Sequence, residues 1–453
     1  MLVLEFIKNP VVLAVIILLA LSMLRLNVVF ALVISALAGG MLAGMGGKEA
    51  MTVFCQDFST GARLAFNYAM LGAFSIAISR SGVTELLAGT LFRYLKKDLT
   101  PGKLMAFKYV LLGILTLAAI SSQNLIPVHI AFIPVLIPPL LGIFNKLKLD
   151  RRMIACILTF GLITPYMVMP FGFGRIYLHD ILIANINKFG EASGITVTAD
   201  MAPKAMFIPA LGMVAGLLIA VFISYRKPRS YRESNDSSAI FDAGNVEVKP
   251  WKVIAGIAAI VVCFAGQIWL DSLIIAALAG ILVFVVSGVI SVRGTQDIFT
   301  KGVYLMGGIG IVMIGADGFA DVMNATGCVG KLVKLTADSI GDKRWLGSFI
   351  MLAIGLIITM GIGSSFATVP LIAAIYVPLC VKLGFSPLAT VAIVGVAGAL
   401  GDAGSPVSES VLGPTAGLNA DGQHDHIYDS TIPTFIHFNI PLLIAGWIAG
   451  MIL

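Results

Sequence analysis

Ten apolar runs, most of them long enough to cross about 30 Å of hydrocarbon as a helix, leave this chain little choice of fold. They are Val11–Leu24, Asn27–Met45, Leu64–Ser79, Ile154–Ile183, Ala205–Tyr225, Val253–Trp269, Ser272–Ile290, Val303–Ala325, Leu388–Ala416 and Phe435–Leu453. Of all residues 58% are hydrophobic and 12% charged, where a soluble domain carries about 25% charged residues. In water such a chain would expose too much apolar surface. In lipid only a helix or a closed barrel satisfies its own backbone. The expectation is an all-α polytopic protein of the cell (inner) membrane. Val11–Leu24 resembles a signal-peptide core, but the next run begins two residues after Arg25, so a retained first helix is expected. The five cysteines form no C-x-x-C pair and read as small buried hydrophobes. The net charge of +6 comes from Lys and Arg clustered in loops. That pattern orients a membrane protein and is no sign of nucleic-acid binding.

Two further stretches differ. Leu104–Phe144 and Leu346–Leu383 are each two apolar arms around a polar patch, "SSQN" (121–124) and "GSSFAT" (363–368). Each is either two spans or a hairpin that enters and leaves by one face. An internal repeat bears on the choice. "QDFSTG" (56–61) matches "QDIFTKG" (296–302), "SGV" (81–83) matches "TGCVG" (326–330), and "SSQNLIP" (121–127) matches "SSFATVP" (364–370), at an offset near 243 residues. The chain is read as a first repeat, 1–224, with hairpin 104–144; a polar cytoplasmic linker, 225–252; and a second repeat, 253–453, with hairpin 346–383. Re-entrant hairpins leave five spans per half, and an odd number inverts one half relative to the other. Loops on the linker side then hold the larger share of Lys and Arg, as orientation requires. Residues 84–97 and 331–339 become amphipathic arms at the interface.

Irregular backbone at membrane depth is tolerated only where protein buries it or water lines it. Four places qualify: the two hairpin tips and two helix breaks, "TPYMVMPFGFGR" (164–175) and "GDAGSPVSES" (401–410). Glycine frees a turn and proline removes a hydrogen bond. Carbonyls and hydroxyls there are hard oxygen ligands suited to a small cation. Half-helix N-termini suit an anionic group. The candidate ion and substrate ligands are Ser121, Ser122, Gln123, Asn124, Thr164, Arg175, Ser364, Ser365, Thr368, Gly401, Asp402 and Ser405. Sodium is assigned to Ser121, Asn124, Ser365 and Asp402. Candidate proton carriers are Asp402, Asp317, Asp321 and Glu409. A buried carboxylate must bind a cation or take a proton, so Asp402 can exchange Na+ for H+ by competition; the alternative is that it caps the following half-helix. Asp317 and Asp321, four apart on one helix face, face the cavity or pair with Arg80 or Arg175. Arg175 can hold a carboxylate bidentately or form a salt bridge. His129, His179 and Asp180 also lie at membrane level, with packing the simpler role for His129. "GGIGIVMIG" (307–315) reads as close helix packing rather than a nucleotide loop. "HDHIYD" (424–429) reads as a solvated turn rather than a metal cluster.

The two halves, each with a serine-tipped hairpin and a Gly/Pro-broken helix, resemble the ion transporter superfamily. Within it, "SSQNLIPVHIAFIPVLIPP" and "GDAGSPVSES" resemble the NhaC-type sodium/proton antiporter family, which includes relatives proposed to carry amino acids such as histidine. The resemblance covers nearly the whole chain. It implies an elevator-type transporter, usually a homodimer, in which hairpins and broken helices move against a fixed scaffold. It implies that Ser121, Ser122, Gln123 and Asn124, with Ser364, Ser365 and Thr368, bind sodium and substrate. The second tip departs from the family's usual Ser-Asn-Thr, and Asp402 faces no carboxylate at the first break, where Tyr166 and Met167 stand. The expected function is Na+/H+ antiport. The alternative is Na+- or H+-coupled transport of a small amino acid or carboxylate held by Arg175 and Asn124. No cofactor beyond the coupling ions is expected. No serine can be given a base by spacing, so an enzyme is not expected, and paired broken helices argue for alternating access over a passive channel.

Overall fold

The computed structural model describes residues 8–24, 26–56, 58–83, 101–124, 129–170, 173–191, 194–232, 249–270, 272–328, 331 and 343–453. Every regular element among them is helical. The interfacial arms expected at 84–97 and 332–339 lie outside the described residues, as does 233–248 of the linker.

In the first half, α1 (Pro10–Met23) and α2 (Val28–Leu42) each begin at an asparagine. Asn9 and Asn27 accept the amides of Val11 and Val29 at 2.9 Å, which satisfies a donor that helix geometry leaves orphaned. The short α3 (Gly47–Phe54) leads to α4 (Ser59–Ser79). The first polar-tipped stretch becomes α5 (Pro101–Asn124) and α6 (His129–Lys146). α7 (Arg151–Val168) is capped by Asp150. It stops at Met169, whose φ of −90° and ψ of 117° are extended, because a residue that precedes proline is pushed out of the helical region. Beyond the break, α8 comprises Phe173–Arg175, a π-helical stretch Ile176–Ile183 and Ala184–Gly190. α9 (Met201–Ile219) closes the half with a π turn, Ala220–Ser224.

The second half has three helices, a helix pair, a broken helix and a last helix. α10 (Pro250–Leu270), α11 (Leu273–Val286) and the long α12 (Gly294–Ala325) precede a helix pair, α13 (Arg344–Ile362) and α14 (Ser365–Lys382). α15 (Pro387–Ala399), capped by Ser386, breaks at 400–408 and resumes as α16 (Glu409–Leu418), capped by Ser408. Two π turns, His426–Thr431 and Phe435–Asn439, lead to α17 (Ile440–Ile452).

Among the described residues seven helices have the length and hydropathy to cross a membrane, and Pro10–Ser22, Val28–Leu42, Ile274–Val286 and Pro387–Ala399 are shorter apolar helices. The seven include Gly102–Gln123 and Arg344–Ile362, so by length alone one arm of each polar-tipped pair can cross. The inner and outer helices separate by burial. Within the span of α7, 89% of residues are buried, against 22% in α5. In a bilayer the more apolar helix can face lipid, while polar groups are kept within protein, and α7 is the less apolar of the two. Thus α7 and α15, both buried along nearly their whole length, form the centre. The glycine-rich "GGIGIVMIG" lies in α12 against α4: a Cβ on Gly310 would come within 2.9 Å of Ala65 Cα, as the close-packing reading expects.

Three expectations need correction. Arg80 pairs with Asp297 rather than with Asp317 or Asp321. Asp317 accepts the backbone amide of Gly61 at 2.9 Å, one of the orphaned donors at the start of α4, because α4 and α12 pack side by side. The loop 424–429 is no solvated turn: His424 and Asp429 are 2% and 8% exposed. The described start of the linker folds back onto that loop. Arg229 Nη1 donates to Asp429 Oδ1 at 2.7 Å, Gln423 Nε2 donates to the Arg232 carbonyl at 2.9 Å and the Arg232 amide to Gln423 Oε1 at 2.7 Å.

Candidate ion-binding site at the helix breaks

The site is built from three of the four polar interruptions. The turn between α13 and α14 is Gly363 at φ 73° followed by extended Ser364. That left-handed conformation suits glycine, and a Cβ there would also meet Val407. The arms run antiparallel from the turn: Tyr376 Oη donates to the Met351 carbonyl at 2.8 Å, eleven residues from each side of it. Their outer ends meet where the Arg344 guanidinium lies 4.8 Å from the centre of the Phe385 ring. The second break seats against this pair. A Cβ on Gly401 would lie 2.3 Å from the Thr359 carbonyl carbon, so only glycine lets the break approach α13 so closely. Ser405 Oγ donates to the Met360 carbonyl at 2.7 Å and accepts the Val407 amide at 3.1 Å. The hydroxyl of Thr359 donates to Gly355 and Ala397 carbonyls at 2.8 and 3.1 Å.

Asp402 sits at the centre and is 6% exposed. Its Oδ1 accepts the backbone amide of Ser365 at 3.0 Å, and its Oδ2 accepts from the Tyr166 hydroxyl. Tyr166 Oη and Ser365 Oγ are 3.2 Å apart. A carboxylate, a phenol and a serine hydroxyl from three separate elements thus converge in a buried space. Aromatic rings wall it: Phe173 and Phe366 centroids are 4.7 Å apart, and Tyr166 and Tyr177 4.9 Å. Asp402 does cap a helix, but not the following one, whose cap is Ser408. It caps α14 across the site, so the carboxylate occupies the positive end of that helix.

The remaining predicted residues divide. Ser364 accepts from the Thr368 hydroxyl at 2.8 Å, an internal bond of the first turn of α14. Glu409 begins α16, half-buried, where a helix N-terminus favours an acid. Thr164 is buried with no hydrogen-bond partner for its hydroxyl among the described residues. The first tip adjoins α7: a Cβ on Gly161 would lie 2.4 Å from Ala119 Cβ. Ser122 turns back to the Ala119 carbonyl at 2.8 Å, and Gln123 is buried with its Oε1 unpartnered among the described residues. No described contact brings Ser121 to Asp402; the side chain of Asn124 and residues 125–128 lie outside the described residues. Arg175 is exposed and touches none of the groups around Asp402 described above. Asp317 is engaged with α4, and Asp321 is half-buried on the same helix.

Sequence reasoning missed Tyr166 as the partner of Asp402, although a phenol beside the proline of a helix break was a visible signal. It also missed Asn439. That residue is wholly buried with both amide atoms unpartnered among the described residues, and its Nδ2 lies 2.6 Å from where a Cβ on Gly404 would stand. Nothing local marks it, because the contact exists only once α17 packs on the break.

A family model described as the Na+/H+ antiporter family matches residues 157–447, which hold both breaks and the second tip, and a second model, the Na+-H+ antiporter family, matches residues 9–95. The chain belongs to the Na+/H+ antiporter family. As a member it is a multi-pass membrane protein of a transporter family. It is 52% identical over 448 residues to a membrane protein of Haemophilus influenzae, covering 98% of this chain and 100% of that one. It is 47% identical over 454 residues, with the same coverage, to the putative amino acid transporter YuiF of Bacillus subtilis. Among solved structures it is similar to Neisseria gonorrhoeae MtrF, with TM-score 0.42, 15% identity, and 88% and 83% of the two chains covered. The Alcanivorax borkumensis YdaH transporter gives TM-score 0.43, 16% identity and 89% and 88% coverage.

Proposed function

We propose that this family member is a secondary active transporter that exchanges Na+ for H+ at Asp402, by an elevator-type movement. The observation that carries the reading is the buried carboxylate shared between the α14 N-terminus, Tyr166 and Ser365. A carboxylate withdrawn from water is stable when a proton or a metal cation neutralises it. Asp402 Oδ, Ser365 Oγ and Tyr166 Oη are hard oxygens, the ligand type that small cations prefer. One carboxylate that takes either charge, but not both, converts a proton gradient into sodium movement. Because Asp402 already fills the positive end of α14, an anionic substrate there would have to displace it, which favours a cation.

The depth of the tip supports the moving part of the reading. The α13–α14 turn meets the break just past α15, and ten residues of α16, about 15 Å of helix, continue beyond it to Leu418. The Leu418 carbonyl accepts from Arg151, on the linker side. A tip that ends so far short of that side supports a re-entrant hairpin. Paired with α5–α6, it supports the inverted-repeat arrangement in which alternating access moves one body against another.

The test is sodium-driven proton flux in proteoliposomes with a trapped pH dye. Wild-type protein is expected to move protons on addition of Na+, and Asp402→Asn to lower the flux at least about a hundredfold. Flux retained in Asp402→Asn would sink the assignment. A second reading is coupled transport of an amino acid. The aromatic wall of Phe173, Tyr177 and Phe366 around the carboxylate favours it, since aromatic faces attract ammonium groups, and so does the name of the Bacillus subtilis relative. Saturable thermal stabilisation by one amino acid, absent in Phe366→Ala, would support this reading.

A further inference from the structure

The π turn Phe435–Asn439 ends in three buried side chains that point three ways. His437 Nε2 lies 2.8 Å from Ser224 Oγ, in the π turn after α9. The Phe438 ring lies 6.2 Å from that of Phe160 on α7. Asn439 turns to the second break, where a Cβ on Gly404 would stand 2.6 Å from its Nδ2 and 2.7 Å from the Phe435 Cα. Only glycine lets the break lie so close on this turn. The turn has no slack to swing the amide elsewhere, because a Cβ on Gly216 of α9 would stand 1.6 Å from the His437 carbonyl oxygen.

Asn439 is wholly buried, and neither Oδ1 nor Nδ2 has a hydrogen-bond partner among the described residues. A buried amide without hydrogen bonds is costly, and native proteins keep such a group where water, an ion or a ligand completes it. The chemistry of the amide narrows the choice. Oδ1 only accepts and Nδ2 only donates. A metal cation is met by oxygen and leaves Nδ2 unpaired. A simple anion leaves Oδ1 unpaired. A zwitterion completes both: its carboxylate accepts from Nδ2 and its ammonium donates to Oδ1.

The surroundings select the same class. Asp402 is two residues before Gly404, so their Cα atoms stand at most about 7.6 Å apart. The carboxylate attracts an ammonium, and so do the aromatic faces beside it. A substrate carboxylate needs a donor as well, and the Tyr166 hydroxyl and the Ser365 amide are both engaged by Asp402. Asn439 holds a donor that nothing else in the described structure uses. We propose that Asn439 receives the carboxylate of an α-amino acid whose ammonium rests at Asp402. The inference deepens the amino-acid reading above and rests on it. Two charge-assisted hydrogen bonds of about 2.8 Å each, with the amino acid between them, bridge a gap on the scale of the Asp402–Gly404 spacing. Asn439 is then a specificity-determining residue. It separates an amino acid from the amine with the same side chain, which Asp402 and the aromatic wall hold without it.

The experiment measures binding to full-length purified protein by thermal shift and calorimetry. The probes are the twenty standard L-amino acids and, for each one that binds, the amine that remains when its carboxylate is removed. Wild-type protein is expected to prefer the amino acid over its amine at least about tenfold, the worth of a hydrogen bond to a charged group. Asn439→Ala removes the amide, and Asn439→Leu keeps its bulk without polar atoms. Both are expected to bring that preference to within about twofold of unity while affinity for the amine holds. Without ligand, Asn439→Leu is expected to melt no lower than wild type, because the amide it removes has no bond to lose. A preference that survives in both variants would overturn the role of Asn439 and leave the amino-acid reading standing. So would a wild-type protein that binds amino acid and amine alike. A ligand-free melt that drops sharply in both variants, with the preference intact, would mark an amide that holds a buried water, and would overturn it too. If none of the twenty amino acids binds wild-type protein, the amino-acid reading itself fails, and this inference with it.

Discussion

Asp402 shows how a single residue takes its meaning from partners far away in the chain. The Ser365 amide is 37 residues away and the Tyr166 hydroxyl 236, and without both the carboxylate would be a buried charge with nothing to hold it. Removing one donor from a charged buried acceptor costs about 1.5–3 kcal/mol. Tyr166→Phe is therefore expected to lower the melting temperature of the purified protein and to raise the Na+ concentration at half-maximal flux. An unchanged melting curve together with unchanged sodium dependence would show that the phenol does not support the site. The sequence marks the carboxylate because an acid in an apolar run has few bland explanations. It does not mark the phenol, because tyrosine is ordinary near a membrane surface and only the packing puts it at the centre.

At the scale of elements, the breaks are as informative as the helices. Pro170 ends α7 through the conformation it imposes on Met169, while Gly401, Gly404 and Pro406 keep 400–408 from continuing α15. Such signals are local, so they were legible before any packing was known. How the broken pieces seat is less legible. Gly401 is needed because α13 passes against it, and Gly401→Ala forces a methyl against the Thr359 backbone. Overpacking of that kind costs about 1–3 kcal/mol; the expected outcome is a lower melting temperature and weaker sodium-driven flux, with helix content by circular dichroism unchanged. The polar-tipped arms were legible as pairs, but not their contacts. α13 and α14 became a hairpin around a left-handed glycine, and its tip found the second break.

Across the whole molecule, the two halves are tied on the linker side by charge rather than by apolar packing alone. Arg151, at the start of α7, donates from Nη2 to Asp421 Oδ2 at 2.5 Å and from Nη1 to Asp421 Oδ1 at 2.6 Å. The Tyr231 ring of the linker lies 4.3 Å from the guanidinium. The arginine side chain is fully buried and that of the aspartate 8% exposed. Removing one member of a buried pair strands the other, at a cost of about 3–5 kcal/mol, so Arg151→Met is expected to destabilise the protein strongly in a detergent melt. Burial pushes the Asp421 carboxyl up, but the Arg151 hydrogen bond and charge outweigh it and hold the carboxyl below its ordinary value. A depressed folded-state value gives stability that is present above about pH 4, the unfolded value, and is lost as the pH falls through the folded one. Asp421→Asn is thus expected to melt lower than wild type at neutral pH, with the difference shrinking below about pH 4; a constant difference would deny the pair this role. By itself the sequence determined the membrane class, nearly every helix and the position of both breaks, because hydropathy, proline and glycine act over a few residues. Only the tertiary structure decided which polar groups meet: Asp402 with Tyr166, Asp317 with an amide of α4, Arg80 with Asp297, and Arg175 left exposed. Those pairings depend on how helices more than a hundred residues apart lie against one another, and shape complementarity among apolar surfaces leaves no mark in the local pattern.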